Sequence, residues 1–175
     1  MAGSLLRDAF AHHTWATKRL AEACLELTPE QLTADVTGTY GSILETIRHI
    51  VADDWFYLGV LTGRRPAFES DPHSMDIAEL AVAVDILETD WAGFLAGDLD
   101  PDAIVNEVDD EDGFQRDATV GLHLAQALHH GNEHRAQICT AFTILSVAPP
   151  AVSAFQFGLE TGRSVEVYPQ PDSGG

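Results

Sequence analysis

TVGLHLAQALHHGNEHRAQICTAFTILS, residues 119–146, is the stretch that sets the architecture of this chain. Val120, Leu124, Leu128, Ile138, Phe142 and Leu145 fall on one stripe at helical spacing, and Pro149-Pro150 marks where that helix has to have ended. A long helix with one apolar face needs other helices to cover it, and three more are legible upstream. Residues 4–26 place Leu6, Phe10, Thr17, Leu20 and Cys24 on one face. Ser42 and Glu45 form a capping box for a second long helix, whose stripe of Ile43, Ile47, Ile50, Val51, Asp54, Leu58 and Leu61 runs to Gly63. Asp76 and Glu79 cap a third through Leu80, Val84, Leu87, Trp91 and Phe94. Four such helices bury their stripes most economically against each other, so the expected fold is an all-α four-helix bundle, with loops long enough for a crossover connection.

The connections carry weaker signals. Thr28-Pro29-Glu30-Gln31 predicts a capped short helical turn, and residues 64–75, with Pro66 and Pro72, read as a loop. Ile104–Val108 and Phe114-Gln115-Arg116, on either side of an acidic turn at Asp109–Asp112, suggest a small hairpin before the last long helix. A further helical turn falls within 151–161. The single domain then spans 1–162, and 163–175, with Pro169, Pro171 and a Ser-Gly-Gly end, reads as a loosely ordered tail.

Composition narrows the partners. The 28 Asp and Glu against 9 Lys and Arg give a formal charge of -19, which repels phosphate backbones and anionic headgroups, so neither nucleic acid nor a membrane surface is an expected partner. The acidic run at 109–112 lacks the spacing of an EF-hand loop. No apolar run approaches a bilayer span, the first residues do not form a signal peptide, and two cysteines suit a reduced compartment. The expected location is cytoplasmic.

The chemistry concentrates in histidines. At about 100° per residue His123, His130 and His134 share one side of the last long helix, while His129 does not. A His-x-x-x-His pair places two imidazoles one turn apart, close enough for both to bind one ion. A third ligand must come from another element, and His49, at the edge of its helix's stripe, is the best placed. Three neutral imidazoles suit zinc or nickel first, iron or manganese next, and leave positions open for water or substrate. The same spacing in solvent would be an ordinary pair of surface histidines. His130-x-x-Glu133-His134 also fits the pattern of inverted zinc proteases, but only Glu160, Glu166 and Asp172 follow as carboxylates that could complete such a site. His12 and His13, beside Trp15, read as surface or cleft-lining groups, and His73 lies in the loop.

Gly41-Ser-Ile-Leu-Glu-Thr-Ile-Arg-His49-Ile-Val-Ala-Asp-Asp-Trp55 and His129-His130-Gly-Asn-Glu-His134-Arg135-Ala-Gln137-Ile resemble the DinB-like superfamily, which includes the YfiT-like proteins. With Trp15 and the Thr-Pro-Glu-Gln-Leu turn, the resemblance covers most of residues 4–160. It implies a four-helix bundle, a homodimer, and a divalent metal on His49, His130 and His134. Arg135 and Gln137 fall on the family's Arg-Gly-Gln positions with Ala136 for the Gly, and Gln126 stands where many relatives carry a histidine. The resemblance also implies a metal-dependent S-transferase or isomerase that uses a low-molecular-weight thiol such as bacillithiol or mycothiol, with a small-molecule electrophile held beside the first helix. A metal-dependent hydrolase, with Asp53 or Glu133 as base, and a non-enzymatic stress-associated metal-binding or interaction protein are the alternatives.

Overall fold

A computed structural model describes residues 2–108 and 113–167; the acidic turn at 109–112 and the tail segment 168–175 lie outside the described residues. The elements in chain order are α1 (Ala2–Cys24), α2 (Pro29–Thr33), α3 (Ile43–Thr62), a 3-10 turn (Pro72–Ser74), α4 (Ile77–Leu95), β1 (Ile104–Val108), β2 (Gln115–Thr119), α5 (Val120–Ile144) and α6 (Ala154–Glu160). Helix starts are written locally. Thr28, Ser42 and Asp76 each accept from the third backbone N–H of α2, α3 and α4, while Gln31, Glu45 and Glu79 return the bond to the cap residue. At the far end of α3, Gly63 takes a left-handed conformation, φ 70°, that a side chain would disfavour.

The four long helices form the bundle. Helix α1 packs on α4 and α5, and α3 packs on the same two, so α1 and α3 face each other across the diagonal. Consecutive long helices are therefore not all neighbours: the α1–α3 and α4–α5 connections cross the bundle, as the loop lengths permitted. Leu20, Ile47, Leu80, Leu87, Ile138 and Phe142 are fully buried at the centre, each worth about 1.5–3 kcal/mol of burial. Phe10 and Trp91 close the α1–α4 seam with ring centroids 4.4 Å apart.

Smaller elements pin the ends. The hairpin pairs Ile104 with Thr119 and Val108 with Gln115, so its second strand runs three residues beyond Arg116, directly into α5. Residues 64–75 are mostly irregular, held to α3 by Trp55 Nε1 donating to the Pro66 carbonyl and Arg48 Nε to that of Met75, both at 2.8 Å. Arg163 is tied to α1 through Asp8 at 2.9 Å, and residues 164–167 have no regular structure. Among the described residues no helix is long and apolar enough to cross a membrane.

Candidate metal centre

Because α3 and α5 are neighbours, His49 on one faces His130 and His134 on the other. His130 Nε2 lies 3.1 Å from His49 Nε2 and 3.0 Å from His134 Nε2, and the three ligand atoms all lie within 4.8 Å of one another. Two donors on a tetrahedral zinc ion, each about 2.0–2.1 Å from the metal, would be about 3.3 Å apart, so the spacing suits a single ion.

The protons point the same way. The Tyr40 backbone N–H donates to Gln137 Oε1 at 3.1 Å, which identifies that oxygen as an acceptor, and His134 Nδ1 sits 3.0 Å from it. His134 must therefore carry its proton on Nδ1 and turn a bare Nε2 to the cluster. Asp53 Oδ1, 3.5 Å from His49 Nδ1, favours the same tautomer there. His130 Nε2, as donor or acceptor, can satisfy at most one of two facing lone pairs. A cation satisfies all three.

Burial, followed by the mutual repulsion of the imidazoles, lowers the pKa of His49 to about 4 and that of His130 below its ordinary value. Both rings are thus neutral at pH 7, the form that binds metal. Tyr40 stacks on His49 with centroids 4.2 Å apart and planes 4° from parallel, and meets His134 edge-on at 5.1 Å. Asp53 completes the rim, with Oδ2 3.3 Å from His130 Nε2. Its burial, reinforced by the Asp54 charge and opposed by a hydrogen bond from Tyr57, raises its pKa to about 7.

Behind the cluster lies a buried network. His13, expected at the surface or lining a cleft, lines a cavity beside α1 and has no exposed surface of its own. Its Nδ1 accepts from Arg135 Nη1 at 3.0 Å, so its Nε2 carries the proton and donates to Asp54 Oδ2 at 2.7 Å. The signal was present: His13 lies three residues after Phe10 and four before Thr17, inside the α1 stripe, and Asp54 stands in the α3 stripe, where a carboxylate needs a partner. Tyr40 carried no periodic signal, because a loop delivers it.

The remaining candidates separate. His123 is buried outside the three-imidazole group, with Glu107 and Arg116 of the hairpin as its electrostatic neighbours. Gln126 bonds the Tyr57 hydroxyl at 3.4 Å, while Glu133, His129 and His73 are exposed. A cavity of about 660 Å³ does lie beside α1, but none of His49, His130 and His134 lines it. The electrophile's expected position there and the metal centre are therefore on different faces of α5.

The sequence matches the DinB family over residues 1–161. No curated protein matches it. The structure is similar to the crystal structure of a DinB-like protein from Bacillus cereus ATCC 10987, with a TM-score of 0.66 and 18% identity over 85% of this chain and 95% of that one. At that identity the likeness establishes the fold alone.

Proposed function

This chain belongs to the DinB family, and from that premise we propose that it is a divalent-metal protein in which His49, His130 and His134 hold the ion for the transfer of a low-molecular-weight thiol to a small electrophile. The observation that carries the reading is the convergence of three imidazole nitrogens within 4.8 Å, with the Nδ1 atoms of His49 and His134 engaged by Asp53 and Gln137. Zinc or nickel suits such a donor set first. A divalent ion there supplies Lewis acidity that lowers the pKa of a thiol or a water.

The chain's own thiols are poor nucleophiles. Burial pushes Cys24 up to about 12 and raises Cys139 as well, so the reacting sulfur is proposed to come from a cosubstrate. Asp53 Oδ2, at the rim, is placed to take the thiol proton as sulfur bonds to the electrophilic carbon and the leaving group departs with its electron pair. Tyr57 holds that carboxylate by a hydrogen bond, and Gln137 and Asp53 hold the two outer imidazoles.

Asp53 also favours a second reading, hydrolysis, since the same carboxylate could take a proton from water. One assay separates the readings. Metal-loaded protein should accelerate consumption of a low-molecular-weight thiol by a reactive halide, and His130→Ala should abolish the acceleration; a rate equal to that of free thiol would end the transfer reading. Ester cleavage without added thiol, lost in Asp53→Asn, would favour hydrolysis. Metal-dependent stability with neither activity would leave a structural role.

A further inference from the structure

The face of α5 opposite the three imidazoles borders a cavity of about 660 Å³ between α1, α5 and α6, a size that accommodates a small organic molecule. Its lining inverts the charge balance of the protein. The whole chain has 9 Lys and Arg against 28 Asp and Glu, yet among the described residues this cavity takes two arginines, Arg135 and Arg163, and three of the eight histidines, with Asp8 as the one carboxylate. Asp8 is already paired with Arg163 at 2.9 Å.

Arg135 makes the cavity a built site. Its residue is 4% exposed, and its hydrogen bonds to His13 and Thr17 all run through Nη1. The same side chain lines the cavity, and among the described residues its Nε and Nη2 make no hydrogen bond. Its balancing charge, Asp54, acts on it across space and makes its hydrogen bond to His13, not to the guanidinium. A planar fork in a pocket lining matches a carboxylate, which it can bind through two parallel bonds. The walls are apolar: Ala9, Leu128, Phe155 and Phe157 contribute. Burial lowers the pKa of His12, against the opposing pull of the hydrogen bond that its Nε2–H donates to the Val152 carbonyl at 2.9 Å, so it adds little positive charge.

We propose that the cavity between α1, α5 and α6 is a binding site, separate from the metal centre, for a small organic carboxylate with an aromatic or branched apolar body, its carboxylate on Arg135. A bare inorganic anion would leave the apolar walls unused, and a neutral aromatic would leave the fork unpaired.

The probes are 3-phenylpropionate and its amide, titrated calorimetrically and by nitrogen-15 NMR of the arginine Nε–H groups. The acid should bind saturably, shift the Arg135 Nε–H signal, and bind at least about tenfold more tightly than the amide. Ala9→Trp, which puts an indole into the cavity, should abolish binding, and Ala154→Trp on the exposed α6 wall serves if the first variant loses helix content. His130→Ala should bind the acid like wild type, so failure of the metal reading leaves this site standing. Absence of saturable binding up to about 10 mM, equal binding of acid and amide, or binding unchanged by the filled cavity would overturn the proposal. Binding lost in His130→Ala would also overturn it, by placing the carboxylate at the metal centre.

Discussion

Gly131 lies in α5 between His130 and the buried arginine network, and Gly131→Ala sets two energies against each other. Helix propensity alone favours alanine by about 1 kcal/mol. A Cβ at this position, however, would lie 2.3 Å from His13 Cε1 and 2.9 Å from both His13 Nδ1 and Arg135 Nη1. His13 resists displacement because it is held at 2.7 Å by Asp54 and at 3.0 Å by Arg135, and moving it toward the cavity it lines breaks those bonds. Overpacking costs about 1–3 kcal/mol, and pushing the ring off its charged partners costs about 1.5–3 kcal/mol more. The net loss should be about 1.5–5 kcal/mol, or about 5–15 °C in melting temperature for a chain of this length. Gly93→Ala is the internal control, because a Cβ on that exposed α4 glycine meets nothing within 4 Å and should stabilise by up to about 1 kcal/mol. Urea unfolding of the metal-free proteins gives both values. Equal gains in the two variants would refute the claim that His13 is locked between Asp54 and Arg135.

Other outcomes follow from the same contacts. Gln137→Met keeps the volume but removes the oxygen that fixes His134 and receives the Tyr40 N–H, so zinc affinity should fall about 10–100-fold with helix content unchanged; unchanged affinity in a competition titration would contradict this role. In the presence of a chelator, stability should fall as pH drops from 6.5 toward about 4, since the unfolded chain then binds protons that folded His49 refuses, and His12, His123 and His130 act in the same direction. Asp53, raised to about 7, acts with the opposite sign, because the folded chain keeps a proton there that the unfolded chain releases; Asp53→Asn should therefore steepen the acid loss in urea titrations, and a shallower profile would contradict the assignment. Zinc at about a hundredfold excess over its dissociation constant should stabilise wild type by about 2.7 kcal/mol and leave His134→Ala unmoved in a thermal melt.

Much of this was legible in the sequence because its determinants are local. The capping boxes at Ser42–Glu45 and Asp76–Glu79 fixed where α3 and α4 begin, and the i, i+4 pair His130 and His134 fixed two imidazoles on one side of α5. His49 needed a tertiary fact, the adjacency of α3 and α5, which the apolar edge of its helix hinted at and the family resemblance supplied. Periodicity gives the face of a helix but not its neighbours, so the diagonal placement of α1 and α3 could not be read from it. Arg135 and Gln137 were marked by resemblance without roles. Their roles come from His13 and Tyr40, which are 122 and 97 residues away in sequence. A hydrogen-bond network of that range leaves only an indirect trace, a polar residue inside an apolar stripe, as His13 and Asp54 both are.

The central claim is that His49, His130 and His134 hold one divalent ion, and elemental mass spectrometry tests it most directly. Tag-free wild type, His49→Ala, His130→Ala and His134→Ala would each be incubated with zinc, nickel or manganese and freed of excess ion. The account predicts about one ion per chain in wild type, with zinc or nickel preferred, and near-complete loss in every variant that keeps its helix content. Metal well below stoichiometry in wild type, or equal content in wild type and all three variants, would contradict it.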